Sequence, residues 1–165
     1  MESNYVVKKL VGGTVFYQVP GEMKERTWKG DDARQVVPFV ELEKCVYDPS
    51  TKSLFERGFL YIEDKKCRIA LGLEAEDPTV INETKLIYTK EQMSPLLYEV
   101  NFEEFKRTVE RLAEGSLELM FQAAINGQKQ LATNKSDYLR KKFHIDVEKI
   151  QREKRDELEA SKKEG

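Results

Sequence analysis

Tyr5-Val6-Val7-Lys8-Lys9-Leu10-Val11-Gly12-Gly13-Thr14-Val15-Phe16-Tyr17-Gln18-Val19 is the stretch whose reading decides the fold class of this chain. Both arms are rich in β-branched and aromatic side chains, which suit a pleated, half-buried surface. In the first arm Tyr5, Val7 and Leu10 stand against Val6, Lys8 and Lys9. Between the arms, Gly12-Gly13 supplies residues that accept positive φ without steric cost, so the spacing predicts a β-hairpin over 5–19 that turns at the glycine pair.

Outward from that hairpin, Pro20-Gly21 reads as the next turn, because Pro presets φ at the first central position and Gly accepts φ > 0 at the second. A polar strand follows through Met23, Arg26 and Trp28. Gly30-Asp31-Asp32 turns the chain again, and Gln35-Val36-Val37 forms a fourth strand. Short strands at such spacing point to a small antiparallel barrel or sandwich.

The period then changes. Pro38 can open a short helix through Glu41 and Leu42 to Tyr47. Asp48 can cap a second helix with Pro49 in its first turn and Gly58 past its end. Phe59-Leu60-Tyr61-Ile62 reads as a strand returning to the sheet, and Asp64 caps a third helix around Cys67 that stops at Gly72. Residues 74–100 carry Glu74, Glu76, Asp77, Glu83, Glu91 and Glu99 against only Lys85 and Lys90, with Pro78 and no clear period, and read as an acidic joint. Within it Lys85-Leu86-Ile87-Tyr88 is a candidate strand, and Thr89 with Gln92 matches a capping box ahead of a helix disturbed by Pro95.

From Asn101 the pattern is helical. Asn101 and Glu104 pair as cap and third residue; Phe102, Phe105, Val109 and Leu112 then recur at helical spacing, with Gly115 as the expected stop. Ser116 is the expected cap of the next helix, ended by Asn126-Gly127. Ser136 is expected to open another, and Asp146 the last. That last helix has Val147 and Ile150 as apolar anchors, then seven polar residues before Leu158, so it is expected to project from the body. The fold class predicted is α+β: a β-rich module over 1–73, the joint over 74–100, and a helical module over 101–165.

At 165 residues, with 39% hydrophobic and 35% charged side chains, the composition is that of a polar globular chain. The 28 basic and 30 acidic groups leave a net charge of −2, which argues against a polycation built to wrap nucleic acid. The opening residues form no apolar signal segment, and no apolar run is long enough to span a bilayer. Two cysteines without a pairing pattern, Cys45 and Cys67, read as buried thiols in a reducing compartment.

Chemistry-bearing patterns are sparse. The single histidine, His144, has no second His or Cys near it in sequence, whereas zinc needs three or four converging ligands. No GxGxxG, P-loop, GxSxG, HExxH or CxxC occurs. The acidic pairs Asp31-Asp32 and Glu63-Asp64 sit beside turn signals, where Asp bonds its own backbone. The expectation is therefore no catalytic residue, no cofactor and no metal. Partner contact is expected instead at Trp28, set among charges on an exposed-looking strand, and along the last helix at Arg152, Arg155 and Leu158. The alternative is a phosphate-binding face made by Lys135, Arg140, Lys141 and Lys142, the only basic concentration, in a helix–turn–helix arrangement.

The run Tyr5–Tyr17, then Val19-Pro20-Gly21, Glu41-Leu42-Glu43, the Tyr47-Asp48-Pro49 corner, and Leu60-Tyr61-Ile62 leading to Leu71-Gly72-Leu73 resemble the opening of small accessory and structural proteins of tailed bacteriophages. The likeness covers mostly residues 5–73 and rests on turn and packing residues. It implies a virion or assembly component that binds capsid or neck proteins or itself, or else an accessory regulator. The expected place is the virion or the cytoplasm of the infected cell, with no membrane partner.

Overall fold

Strand β1 (Asn4–Lys9) is central to a three-stranded antiparallel sheet and has a partner on each side: β4 (Arg34–Pro38), with Tyr5 opposite Val37, and β5 (Leu60–Ile62), with Val7 opposite Ile62. Strand β2 (Val15–Gln18) pairs with β3 (Glu25–Trp28) in a separate two-stranded sheet. This computed structural model describes residues 3–77, 85–127 and 129–164. They are mixed α and β, with small antiparallel sheets and eight α-helices, and show no closed barrel.

The hairpin expected over 5–19 is not formed. A turn does follow β1, with the positive φ at Gly13 (+78°) and not at Gly12. It delivers the chain to a different sheet, because both hydrogen-bonding edges of β1 are already taken. Beyond the ladder itself, Lys9 N–H donates to Ala33 O and Leu10 N–H to Phe59 O, each at 3.0 Å. Tyr5, Val7 and Lys9 therefore share the inward face, and Lys9 is buried with its Nζ donating to the Gly13 carbonyl. The actual hairpin joins β2 to β3 through Pro20-Gly21. Gly21 has φ +79° and Glu22 N–H donates to Val19 O at 3.0 Å, the closure of a type II turn.

Helices α1 (Phe39–Tyr47) and α2 (Pro49–Glu56) follow as expected, with the Asp48 carboxylate accepting from Thr51 N–H at 3.1 Å. Helix α3 (Lys65–Ala70) is capped by Asp64, which accepts from Cys67 N–H at 2.8 Å, and ends before Gly72 at φ +76°. Glu41 on α1 is buried and accepts from the Tyr17 hydroxyl at 2.7 Å and from Arg26 Nε at 2.6 Å, which fastens β2 and β3 to the helix. Burial works against its charge, but the Arg26 and Tyr17 hydrogen bonds and nearby cations outweigh it and hold the carboxyl below the ordinary carboxylate range. Cys45 and Cys67 are buried free thiols, both pushed up to about 11, chiefly by burial.

The chain divides into two compact units: Met1–Ile87 with Leu112–Ser116, and Tyr88–Arg111 with Leu117–Gly165. Of the acidic stretch 74–100, residues 78–84 lie outside the described residues. Leu86 forms an isolated parallel bridge to Leu112 inside the first unit, in place of a strand. Helix α4 (Met93–Tyr98) follows a 3-10 turn whose Thr89 N–H donates to Gln92 Oε1 at 2.8 Å; Pro95 sits in its first turn, where a missing N–H costs no helical bond.

Helix α5 (Phe102–Arg111) starts at Asn101, whose Oδ1 accepts from Glu104 N–H at 2.8 Å. Gly115 does not stop a helix, and Ser116 does not cap one: α6 (Glu114–Asn126) already includes both. Gly115 N–H donates to Arg57 O at 2.7 Å, and a Cβ on Gly115 would lie 2.7 Å from the carbonyl carbon of Gly58. Glycine is there for close approach. Helix α7 (Thr133–Phe143) begins one turn before the expected Ser136, which is buried in its first turn. It ends at His144 in the left-handed region, φ +60°. Asp146 then caps α8 (Val147–Glu164), accepting from Lys149 N–H at 3.1 Å.

Candidate functional site

Trp28 presents no surface to a partner. It is 1% exposed in the core of the first unit, and its indole N–H donates to Val7 O at 3.0 Å. Charged neighbours in sequence had marked an exposed strand, but alternation along β3 turns Trp28 inward while Glu25 and Lys29 stay at the surface.

The four cations of the 135–142 segment do not form one face. Lys135 is buried, and its Nζ donates to Leu97 O at 2.9 Å and Val100 O at 2.7 Å, capping the carbonyl end of α4. Burial pulls its pKa down. Arg140 pairs with Asp137 at 3.3 Å; Lys142 lies 3.9 Å from Glu110 and donates to the Tyr138 hydroxyl at 3.1 Å. Lys141 is exposed. Two carboxylates thus sit among the cations that were to meet phosphates, which weakens the electrostatic case for nucleic acid.

Among the described residues, the buried anchors of helix α8 lie in its first turns. Val147 is fully buried, and Gln151 is buried with its Nε2 donating to Ala124 O at 2.6 Å. From 152 to 162 every side chain is exposed, Leu158 to 62%. Beside this stretch, within the second unit, lies a cleft of about 400 Å³ lined by the end of α6, by Gly127, Lys129 and Gln130 just after it, and by one face of α8. Arg155 and Leu158, both expected contact residues, line it; Arg152 does not.

Lys154, Gln151, Lys129 and Ile125 also line the cleft and were not singled out from sequence. The α8 members were readable, since 151, 154, 155 and 158 fall on one helical face. That this face meets the end of α6 was not. Lys154 Nζ donates to Asn126 Oδ1 at 2.7 Å, and Lys129 Nζ lies 5.7 Å from the Tyr98 ring centroid.

No group of three or more His, Cys, Asp or Glu side chains is placed to share a metal ion among the described residues. No helix among them is long and apolar enough to cross a membrane. Compared with protein-family models, curated proteins and solved structures, the chain shows no significant match to any of them.

Proposed function

We propose that this protein is a non-enzymatic attachment component: a structural or assembly protein of a tailed bacteriophage that docks on a larger particle, such as the capsid or neck, through α8. The observation that carries the reading is the exposure of every side chain from 152 to 162 on a helix whose buried anchors among the described residues are Val147 and Gln151, with Lys154 adding one surface hydrogen bond to Asn126. A charged helix of this kind gains little from water, because isolated helices of such length are marginal without packing. A partner surface supplies that packing. The viral setting rests on the resemblance of residues 5–73 to phage accessory proteins, and with that reading goes a location in the virion or the infected cell's cytoplasm.

Truncation after Gln151 tests it, since the cut keeps the buried anchor. The shortened chain is expected to melt within a few degrees of the full one and to be lost from purified particles, as measured by quantitative mass spectrometry. Equal incorporation of both chains, or absence of the full chain from particles, overturns the attachment role. Absence together with salt-sensitive DNA binding points instead to a regulator acting through the 135–142 segment.

A further inference from the structure

We infer that the cleft between the end of α6 and α8 is the seat for an acidic protein segment that carries one apolar side chain. This rests on the attachment reading and names the chemistry of its partner. Three cations, Lys129, Lys154 and Arg155, line the cleft, and among the described residues no carboxylate does. Glu148, Glu153, Asp156, Glu157 and Glu159 of the same helix are not among the lining residues.

Among the described residues, no carboxylate within 4.0 Å neutralises this charge. Lys154 is held by a neutral amide oxygen and Lys129 by an aromatic ring. No ion pair within 4.0 Å reaches any of the three among the described residues. Elsewhere in this unit, Arg140 and Lys142 each lie within ion-pair distance of a carboxylate. In a chain of net charge −2, three unneutralised cations around one concavity select an anionic visitor.

The floor adds a second requirement. Ile125 and the 62%-exposed Leu158 add apolar surface to the same lining, and the volume of about 400 Å³ suits one large side chain with its flanking backbone. The α6 carbonyl end, which would repel an acid, is partly covered because Gln151 occupies Ala124 O. Acidic residues flanking a Leu or Phe satisfy both features; a polyanion without an apolar group satisfies one.

The test is fluorescence anisotropy with the full chain and a short fluorescein-labelled peptide bearing one Leu flanked by glutamates. Controls are the same peptide with lysines for the glutamates and with Ala for the Leu. Saturable binding of the acidic Leu peptide is expected. Either control change should weaken it several-fold, as should added salt, Arg155→Glu and Leu158→Ser. Lys141→Glu, an exposed cation outside the cleft, should not. Both cleft variants alter exposed side chains, and an unchanged melting temperature shows that they fold.

Equal binding of the lysine peptide, or no saturable binding, overturns the proposal. So does a dimer broken by Leu158→Ser without peptide binding, which assigns the cleft to a second copy. If the chain truncated after Gln151 is lost from particles while the peptide fails to bind, attachment stands and the acidic chemistry falls. If the peptide binds and the truncated chain is retained, the cleft stands and attachment falls.

Discussion

The indole N–H of Trp28 donates to the carbonyl of Val7 at 3.0 Å, and this bond joins the last residue of the two-stranded sheet to the central strand of the three-stranded one. Tyr17 packs beside the indole with ring centroids 5.5 Å apart, and both side chains are buried. One aromatic residue therefore carries apolar area and a buried polar link between two sheets that share no ladder.

Trp28→Phe keeps much of the apolar bulk and deletes the donor, leaving the Val7 carbonyl without its indole partner and a gap beside Tyr17. We expect a loss of about 2–3 kcal/mol in unfolding free energy by chemical denaturation. A loss below about 0.5 kcal/mol would show that the two sheets do not depend on this link.

Glu41 gives the protein an acid-sensitive fastening. Its carboxyl is held below the unfolded chain's value of about 4.3, so the ionised contacts with Arg26 and Tyr17 add stability that is complete above that value. This contribution drains away as pH falls through the lower folded pKa. Glu41→Gln should cost about 3 kcal/mol near neutrality. The gap between variant and wild type should narrow on acidification in paired melting curves; a constant gap contradicts the linkage.

At Gly115 two effects of a methyl group compete. Gly→Ala inside a helix ordinarily gains up to about 1 kcal/mol in propensity. Here the new Cβ would press on the backbone of Gly58, with its carbonyl carbon only 2.7 Å away, and neither backbone can yield as a flexible side chain would. Gly115→Ala should therefore destabilise by about 2–3 kcal/mol. A stabilised variant in thermal melts would mean that the 57–58 segment does not lie against the start of α6.

Lys135→Met keeps an apolar stem of similar length while removing the ammonium that bonds Leu97 O and Val100 O and lies 5.3 Å from the Phe105 ring centroid. Two carbonyls at the end of α4 lose their donor, for an expected cost of about 1–3 kcal/mol. Amide exchange in residues 93–100 should rise more than in α7 itself. Uniform exchange would place the role of Lys135 elsewhere.

Much of the local structure was legible because its signals act within a few residues. Asp48-Pro49, Asp64, Asn101 and Asp146 each mark a helix start by the reach of one side chain to an N–H three residues on. Pro20-Gly21 likewise specifies its own turn through the φ each residue accepts. Arg155 and Leu158 were readable as members of one exposed helical face because a helix that runs out of apolar anchors says so in its period. What tertiary structure alone decided was which distant surfaces meet. Gly12-Gly13 promised a hairpin, yet β1 took β4 and β5 as partners, since burying Tyr5, Val7 and Lys9 between long-range neighbours outweighs the convenience of a nearby strand. Gly115 reads as a stop in sequence, but the close approach of Gly58 is what requires glycine there. Lys135 looked like part of a basic face, and the carbonyl end of another helix drew it inside. The cleft joins residues near 125–130 to residues 151–158; such convergence depends on packing angles that no local pattern encodes.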